Sequence, residues 1–311
     1  MSTLKHPLLG ALCGLFFLLI PSFPGFGAEQ LKSEIRYDHD SRYYRIIVTD
    51  YPTLDRRILY FSKTRGAQSS MIISQPNALG LSYLRTAISA IPLARAPKRV
   101  LVVGLGGAAI PKFFARQFPE ISLDIIEIDP DVIKVAQDYF SFTPTEKMRL
   151  VAMDGRLFLK QNTEKYDVII LDAYASDRIP FHLTTTEFFS LVKQNLVPDG
   201  VMAMNLWEQL VNRYFVAELK TVQSAFPQAY LFTTPDPASK VIFATMGTER
   251  VTKEAWSAAA ARLANAASFG YNLSDLIRRE YECITDKVYN EKPLTDDMAP
   301  VDQLRTIEEK K

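Results

Sequence analysis

Little in this chain can hold a metal or close a disulfide. Its two cysteines, Cys13 and Cys283, lie near opposite ends, and its three histidines, at 6, 39 and 182, are scattered. Removal of an N-terminal leader would take Cys13 with it, so neither an intramolecular bridge nor a metal site is expected. Charge of one sign is lacking too. The formal net charge is +1, and Lys5 is the only charged residue before Glu29, so residues 29–311 come out at zero. The electrostatic footprint of a nucleic-acid-binding protein is therefore missing, and no nucleic acid is expected as a partner. No Gly-x-Ser-x-Gly elbow occurs, which leaves a hydrolase of that kind without support. Repeats and low-complexity tracts are absent. Hydrophobic residues at 48% and charged residues at 23% describe a globular chain, not a disordered one.

Long apolar runs are also scarce. The one that stands out, Leu8 to Ile20, is short for a membrane span; Lys5 and His6 precede it and Pro21, Pro24, Gly25 and Gly27 follow. This is the pattern of a secretory signal over residues 1–28, implying export to the periplasm or beyond, with membrane anchoring by residues 8–20 as the alternative. Residues 29–78 read as a small β domain. Tyr43–Thr49, Arg57–Ser62 and Gln68–Ile73 are β-branched and aromatic runs separated by turn residues, which predicts a small antiparallel sheet. Residues 79–311 read as an α/β domain, opening on a helix over Leu79–Ile91.

What is present is concentrated in residues 98–129. Val100 to Val103 is an apolar run suited to a strand buried on both faces, and Gly104, Gly106 and Gly107 follow at once. A helix-period stretch comes next, then a second apolar run ending in Glu127 and Asp129. A carboxylate 23 residues after the first glycine lies close to the spacing at which one meets ribose hydroxyls. The unit predicts a site for an adenosine-bearing ligand, dinucleotide or S-adenosylmethionine. Further strands end at Asp154-Gly155 and Asp172. Ligands of open α/β sheets lie beyond the carboxyl ends of the strands, so Glu127, Asp129, Asp154 and Asp172 form one candidate set. For Asp129 and Asp154 a helix N-cap is the competing role. Strands over 228–233 and 240–246 read as a hairpin closing the sheet, and Asp296-Asp297 either return toward the site or cap a terminal helix.

Gly104–Gly107, Glu127-Ile128-Asp129, Asp154-Gly155 and the run 167–172, in this order and spacing, resemble spermidine synthase, a polyamine aminopropyltransferase. The resemblance covers about residues 35–250. A closer likeness, carried by Asp172 to Leu183 and Thr295 to Pro300, is to spermidine-synthase-like domains fused to membrane transporters. It implies a Rossmann-like methyltransferase fold with the small N-terminal sheet. Decarboxylated S-adenosylmethionine, or S-adenosylmethionine, is implied as co-substrate, with an amine or polyamine as acceptor and a homodimer as an assembly. Carried over, Glu127 takes the ribose hydroxyls, Asp154 the adenine amino group, and Gly104, Gly106 and Gly107 pass beside the methionine-derived part, with Asp129 and Gly155 beside them. Asp172 is the catalytic carboxylate with Tyr83 at its side, and Gln68, Tyr83, Asp177 and His182 line the amine groove. Tyr174 and Trp207 are candidate stacking surfaces.

Three places depart from the family pattern. Gly107 stands where an Asp is usual, Ala175 replaces an acid, and Leu84-Arg85 follow Tyr83 where a Gln or His and then a Glu are expected. An arginine beside an amine groove would repel the acceptor. The function implied is transfer of an aminopropyl or related group to an amine. An S-adenosylmethionine-dependent methyltransferase, an NAD-dependent enzyme and a non-catalytic exported adenosine- or polyamine-binding protein are the alternatives.

Overall fold

A computed structural model of the chain describes residues 32–62, 66–94, 96–175, 178–209, 212–236, 238–264 and 269–298. The expected leader and Asp177 lie outside these residues. Four antiparallel strands, β1 (Glu34–Asp40), β2 (Arg45–Tyr51), β3 (Arg56–Tyr60) and β4 (Ser69–Ile72), form a sheet in chain order. The sequence pattern resolved three runs. β1 escapes it because both of its faces are largely exposed, so no apolar alternation marks it.

The second sheet has eight strands: β5 (Arg99–Val103), β6 (Ser122–Glu127), β7 (Met148–Ala152), β8 (Tyr166–Leu171), β9 (Leu196–Trp207), β10 (Gln228–Thr233), β11 (Ser239–Thr245) and β12 (Tyr281–Cys283), in the order β12-β10-β11-β9-β8-β5-β6-β7. From β7 to β9 the neighbours run parallel; β9, β11, β10 and β12 pair antiparallel. The hairpin thus lies inside the sheet, and β12 is the edge. The chain leaves β5 toward β6 on one side and returns to β8 on the other, so strand order reverses at β5, where an open sheet leaves a crevice.

Helices cover both faces. Val100 and Val102 of β5 pack into one apolar layer, with Ile88, Phe114, Trp256 and Leu276. Leu101 and Val103 face the other, with Phe158, Phe188, Met202 and Leu219. Burial on both sides is why these strands read as continuous apolar runs. The expected helix over 79–91 is two short ones, α1 (Ser82–Ala87) and α2 (Ala90–Leu93). Ser89 N–H bonds the Thr86 carbonyl at 2.9 Å, a tightened turn that ends α1. α3 (Ala109–Gln117) and α4 (Pro130–Tyr139) follow β5 and β6, and α5 (Gly155–Gln161) follows β7. α6 (Thr186–Asn195), α7 (Phe215–Ala225), α8 (Lys253–Ala264) and α9 (Leu273–Glu280) complete the layers.

The small sheet packs Ile46, Val48, Leu59 and Met71 on Val132, Val135 and Phe140 of the α4 region. Polar ties fix it there. Arg57 spans Asp50 and the Tyr139 carbonyl, Lys112 Nζ bridges the Phe140 carbonyl at 2.6 Å and Met71 Sδ of β4 at 3.6 Å, and Ser41 Oγ donates to Asp129. The tip of this sheet therefore becomes one wall of the crevice.

Candidate active site

One cavity opens beyond the carboxyl ends of β5, β6 and β8, and its lining includes Glu127, Asp154 and Asp172. The glycine loop and the end of β8 touch across it. Gly104 has φ +100°, and a Cβ there would lie 2.3 Å from the Asp172 carbonyl oxygen, so no side chain fits. Gly104 and Gly106 line the cavity; Gly107 does not. A Cβ on Gly107 would stand 2.7 Å from Ser69 Oγ and 2.8 Å from Phe140 Cδ1, so a side chain there would require Ser69 and Phe140 to shift.

Glu127 ends β6 with its carboxylate buried. Its Oε2 accepts from Leu105 N–H and its Oε1 from Asp129 N–H, both at 3.0 Å. Burial pushes its pKa above the usual value, opposed by those main-chain donors, which favour the charged form. Each oxygen accepts one N–H and keeps a further lone pair, and Glu127 lines the cavity. Asp129 is absent from the lining and serves the fold instead. It caps α4 by accepting from Asp131 N–H at 3.0 Å and takes the Ser41 hydroxyl on its other oxygen. Ser41 Oγ also receives the N–H of Tyr44 at 2.9 Å, so this cap fixes the turn carrying Tyr44. Tyr44 stacks on Phe61 at 4.3 Å, and both rings line the cavity.

Asp154 caps α5, its Oδ1 accepting from Leu157 N–H at 2.9 Å, while its Oδ2 lies 2.9 Å from His182 Nε2. The contact with His182 is the main reason its pKa is lowered. Both side chains line the cavity, as does Gly155, which packs on Val103. His182, a candidate for the amine groove, lines the cavity with its ring on Asp154.

Asp172 stands just beyond β8. Tyr83 Oη donates to its Oδ2 and Asn205 Nδ2 to its Oδ1, each at 3.0 Å. Burial raises its pKa to about 7, with these two hydrogen bonds pulling the other way. Burial likewise drives the Tyr83 hydroxyl well above its ordinary range, and the Asp172 charge adds to it. The tyrosine thus stays a donor. Asn205 went unnoticed in the sequence, although a polar residue ending the apolar run 201–204 was a usable signal. Its Oδ1 is buried and has no hydrogen-bond partner among the described residues. Tyr174 and Trp207 stack on each other at 5.2 Å and line the cavity, as does Gln68.

Arg85 corrects an expectation. Its Nε donates to the Leu79 carbonyl at 3.1 Å and its guanidinium lies over the Tyr271 ring at 5.9 Å. It is outside the cavity lining, so its charge does not face an acceptor there. Ala175 pairs with Arg178 in a short bridge. Asp296 comes back toward the site and meets Arg156 of α5, and among the described residues no three His, Cys, Asp or Glu side chains converge as a metal site would require.

A sequence model of the spermine/spermidine synthase domain matches residues 84–255. The polyamine aminopropyltransferase of Vibrio vulnificus is 31% identical over 258 residues, covering 81% of this chain and 84% of that protein. The chain belongs to the spermine/spermidine synthase family. It is a transferase of the spermidine-synthase-like, aminopropyltransferase type. Solved structures agree on the fold. A spermidine synthase in complex with the transition-state analogue AdoDATO superposes with a TM-score of 0.65 at 18% identity, over 80% of this chain and 84% of that one. Human methyltransferase-like protein 13 in complex with SAH gives 0.53 at 22%, over 72% of this chain and 99% of its own. The Rossmann-like methyltransferase-type fold with a small antiparallel N-terminal sheet is thereby established.

Proposed function

We propose that the cavity takes decarboxylated S-adenosylmethionine, and that the chain transfers its aminopropyl group to a small amine. The observation that carries this is Asp172, a carboxylate tuned to about 7 at one end of a cavity whose other end presents Glu127 and Asp154. The two ends match the two halves of the reaction. Glu127 grips the ribose hydroxyls, and the Gly104–Gly106 backbone lets the donor lie close to the strand ends. The buried Asn205 Oδ1, which has no donor among the described residues, fits an N–H of the acceptor or of the aminopropyl arm.

The amine nitrogen attacks the methylene carbon next to the sulfonium. The carbon–sulfur bond breaks with its electron pair going to sulfur, which leaves as a neutral thioether, methylthioadenosine. An ammonium cannot attack, so the nitrogen must arrive without its extra proton. Asp172 accepts a hydrogen bond or a proton there, and Tyr83 and Asn205 hold it in line. A base with a pKa near working pH suits that transfer.

The test is to incubate the purified chain with decarboxylated S-adenosylmethionine and, separately, with S-adenosylmethionine, against putrescine, spermidine and cadaverine. Equimolar methylthioadenosine and aminopropylated amine are expected. S-adenosylhomocysteine with a methylated product, or no turnover of any pair, contradicts the proposal.

A further inference from the structure

The tail stretch Leu294–Met298 has no part in the chemistry above, yet it is sewn to the cavity's edge. Leu294 N–H donates to Thr221 Oγ1 at 2.8 Å, and its carbonyl accepts from Thr186 N–H at 2.9 Å. Asp296 N–H donates to Glu187 Oε2 at 3.1 Å, and Thr185 Oγ1 donates to Asp296 Oδ1 at 2.8 Å. The Asp296 carboxylate then receives Arg156 bidentately, Nη1 at 2.7 Å and Nη2 at 2.5 Å. Arg156 is the second residue of α5, two beyond Asp154. Its Nη1 also donates to the His182 carbonyl at 3.1 Å, in the turn that brings His182 Nε2 to Asp154 Oδ2. Tail, first turn of α5 and loop after Asp172 thus close a circuit around one carboxylate oxygen.

Exposed ion pairs add little stability, and Asp296 and Arg156 keep 42% and 23% of their side-chain surface in solvent. A bidentate guanidinium–carboxylate pair supplies direction instead. What it directs is the loop bearing His182. Asp154 Oδ1 is committed to the α5 cap, and Oδ2, with His182 on one side, keeps a lone pair on a side chain that lines the cavity. A carboxylate held ionised only accepts, so it welcomes an exocyclic N–H and rejects a carbonyl oxygen in the same place.

We propose that Arg156 and Asp296 are positioning residues for base recognition, which fix His182 on Asp154 so that the cavity selects 6-aminopurine over 6-oxopurine nucleosides. This rests on the reading of the cavity as an adenosyl site. The tail is then part of the specificity apparatus.

Calorimetry with methylthioadenosine and methylthioinosine on the wild-type chain, Asp296→Asn, Arg156→Lys and His182→Ala tests it. The wild type should prefer the amino compound by about tenfold or more. Each variant should bring that ratio to within about threefold, mainly by losing affinity for the amino compound. Arg156→Lys keeps the charge and loses the fork, so its loss of preference isolates geometry from charge. Variants that keep the wild-type ratio, including variants that bind both compounds more weakly in parallel, overturn the proposal and leave the adenosyl site standing. A wild-type chain that binds neither compound overturns both.

Discussion

The two ends of the cavity are built differently. At one end, Glu127 and Asp154 each accept from main-chain N–H groups, of Leu105 and Asp129 in one case and Leu157 in the other. Those donors belong to the glycine loop and to helix starts, so main-chain groups hold both carboxylates, with His182 added on Asp154 Oδ2. At the other end Asp172 is held by two side chains, Tyr83 from α1 and Asn205 from β9, and burial takes its pKa to about 7. Main-chain donors fix the first pair and favour its charged form. At Asp172 burial outweighs the two side-chain donors and leaves a group that exchanges a proton near neutral pH. Binding and reaction are thus separable by substitution.

The sharpest break is Asp172→Asn. Turnover should fall by about a thousandfold, within the usual range for losing a positioned base, while the dissociation constant for methylthioadenosine stays within about twofold; steady-state rates and calorimetry check the pair. The same group sets the pH dependence. Turnover should rise through about pH 7 as Asp172 ionises, and that limb should vanish in the variant. Stability carries the opposite sign. Asp172 has a folded pKa of about 7 against an ordinary 3.8, so between these values the folded chain holds a proton that the unfolded chain has released. Stability from this group is complete below about 3.8 and is lost as pH rises through 7. Asp172→Asn should therefore raise the thermal midpoint at pH 8 and do so much less at pH 4.

Next comes Glu127→Gln, which should weaken nucleoside binding by about ten- to a hundredfold, since a charge-assisted grip on the ribose is replaced by one with a misdirected NH₂. Maximal turnover should survive better than affinity, which saturation kinetics reads. Gly107→Ala should cost about 1–3 kcal/mol through overpacking on Ser69 and Phe140, seen as a lowered thermal midpoint, with part returned by adding Ser69→Ala. Arg85→Ala should be the mildest. With its charge turned to Tyr271 and Leu79, the KM for the amine should change by less than about twofold.

The same division governs what was legible in the sequence. Glycines after an apolar run, and acids ending the next runs, are local signals, and they placed Glu127, Asp154 and Asp172 on one cavity. Asp129 carries the same local signal and does a different task, because a helix start and a ribose contact ask for the same residue type at the same place. Asn205, Tyr44 and Phe61 come from other parts of the chain. Only strand order and the docking of the small sheet bring them in, and neither is written in spacing. Arg85 departs from expectation for a related reason. Position after Tyr83 does not fix direction, and a short helix turned its guanidinium onto Tyr271. Asp296 sits 140 residues from Arg156 and meets it only in space.

The orientation of the nucleoside in the cavity is the central point, and a crystal structure with methylthioadenosine tests it most directly. The ribose hydroxyls should lie within hydrogen-bond reach of Glu127, the purine at Asp154, and the methylthio group toward Asp172. A nucleoside bound in the reverse sense, with its sulfur away from Asp172, or a crevice left empty at saturating ligand, contradicts it.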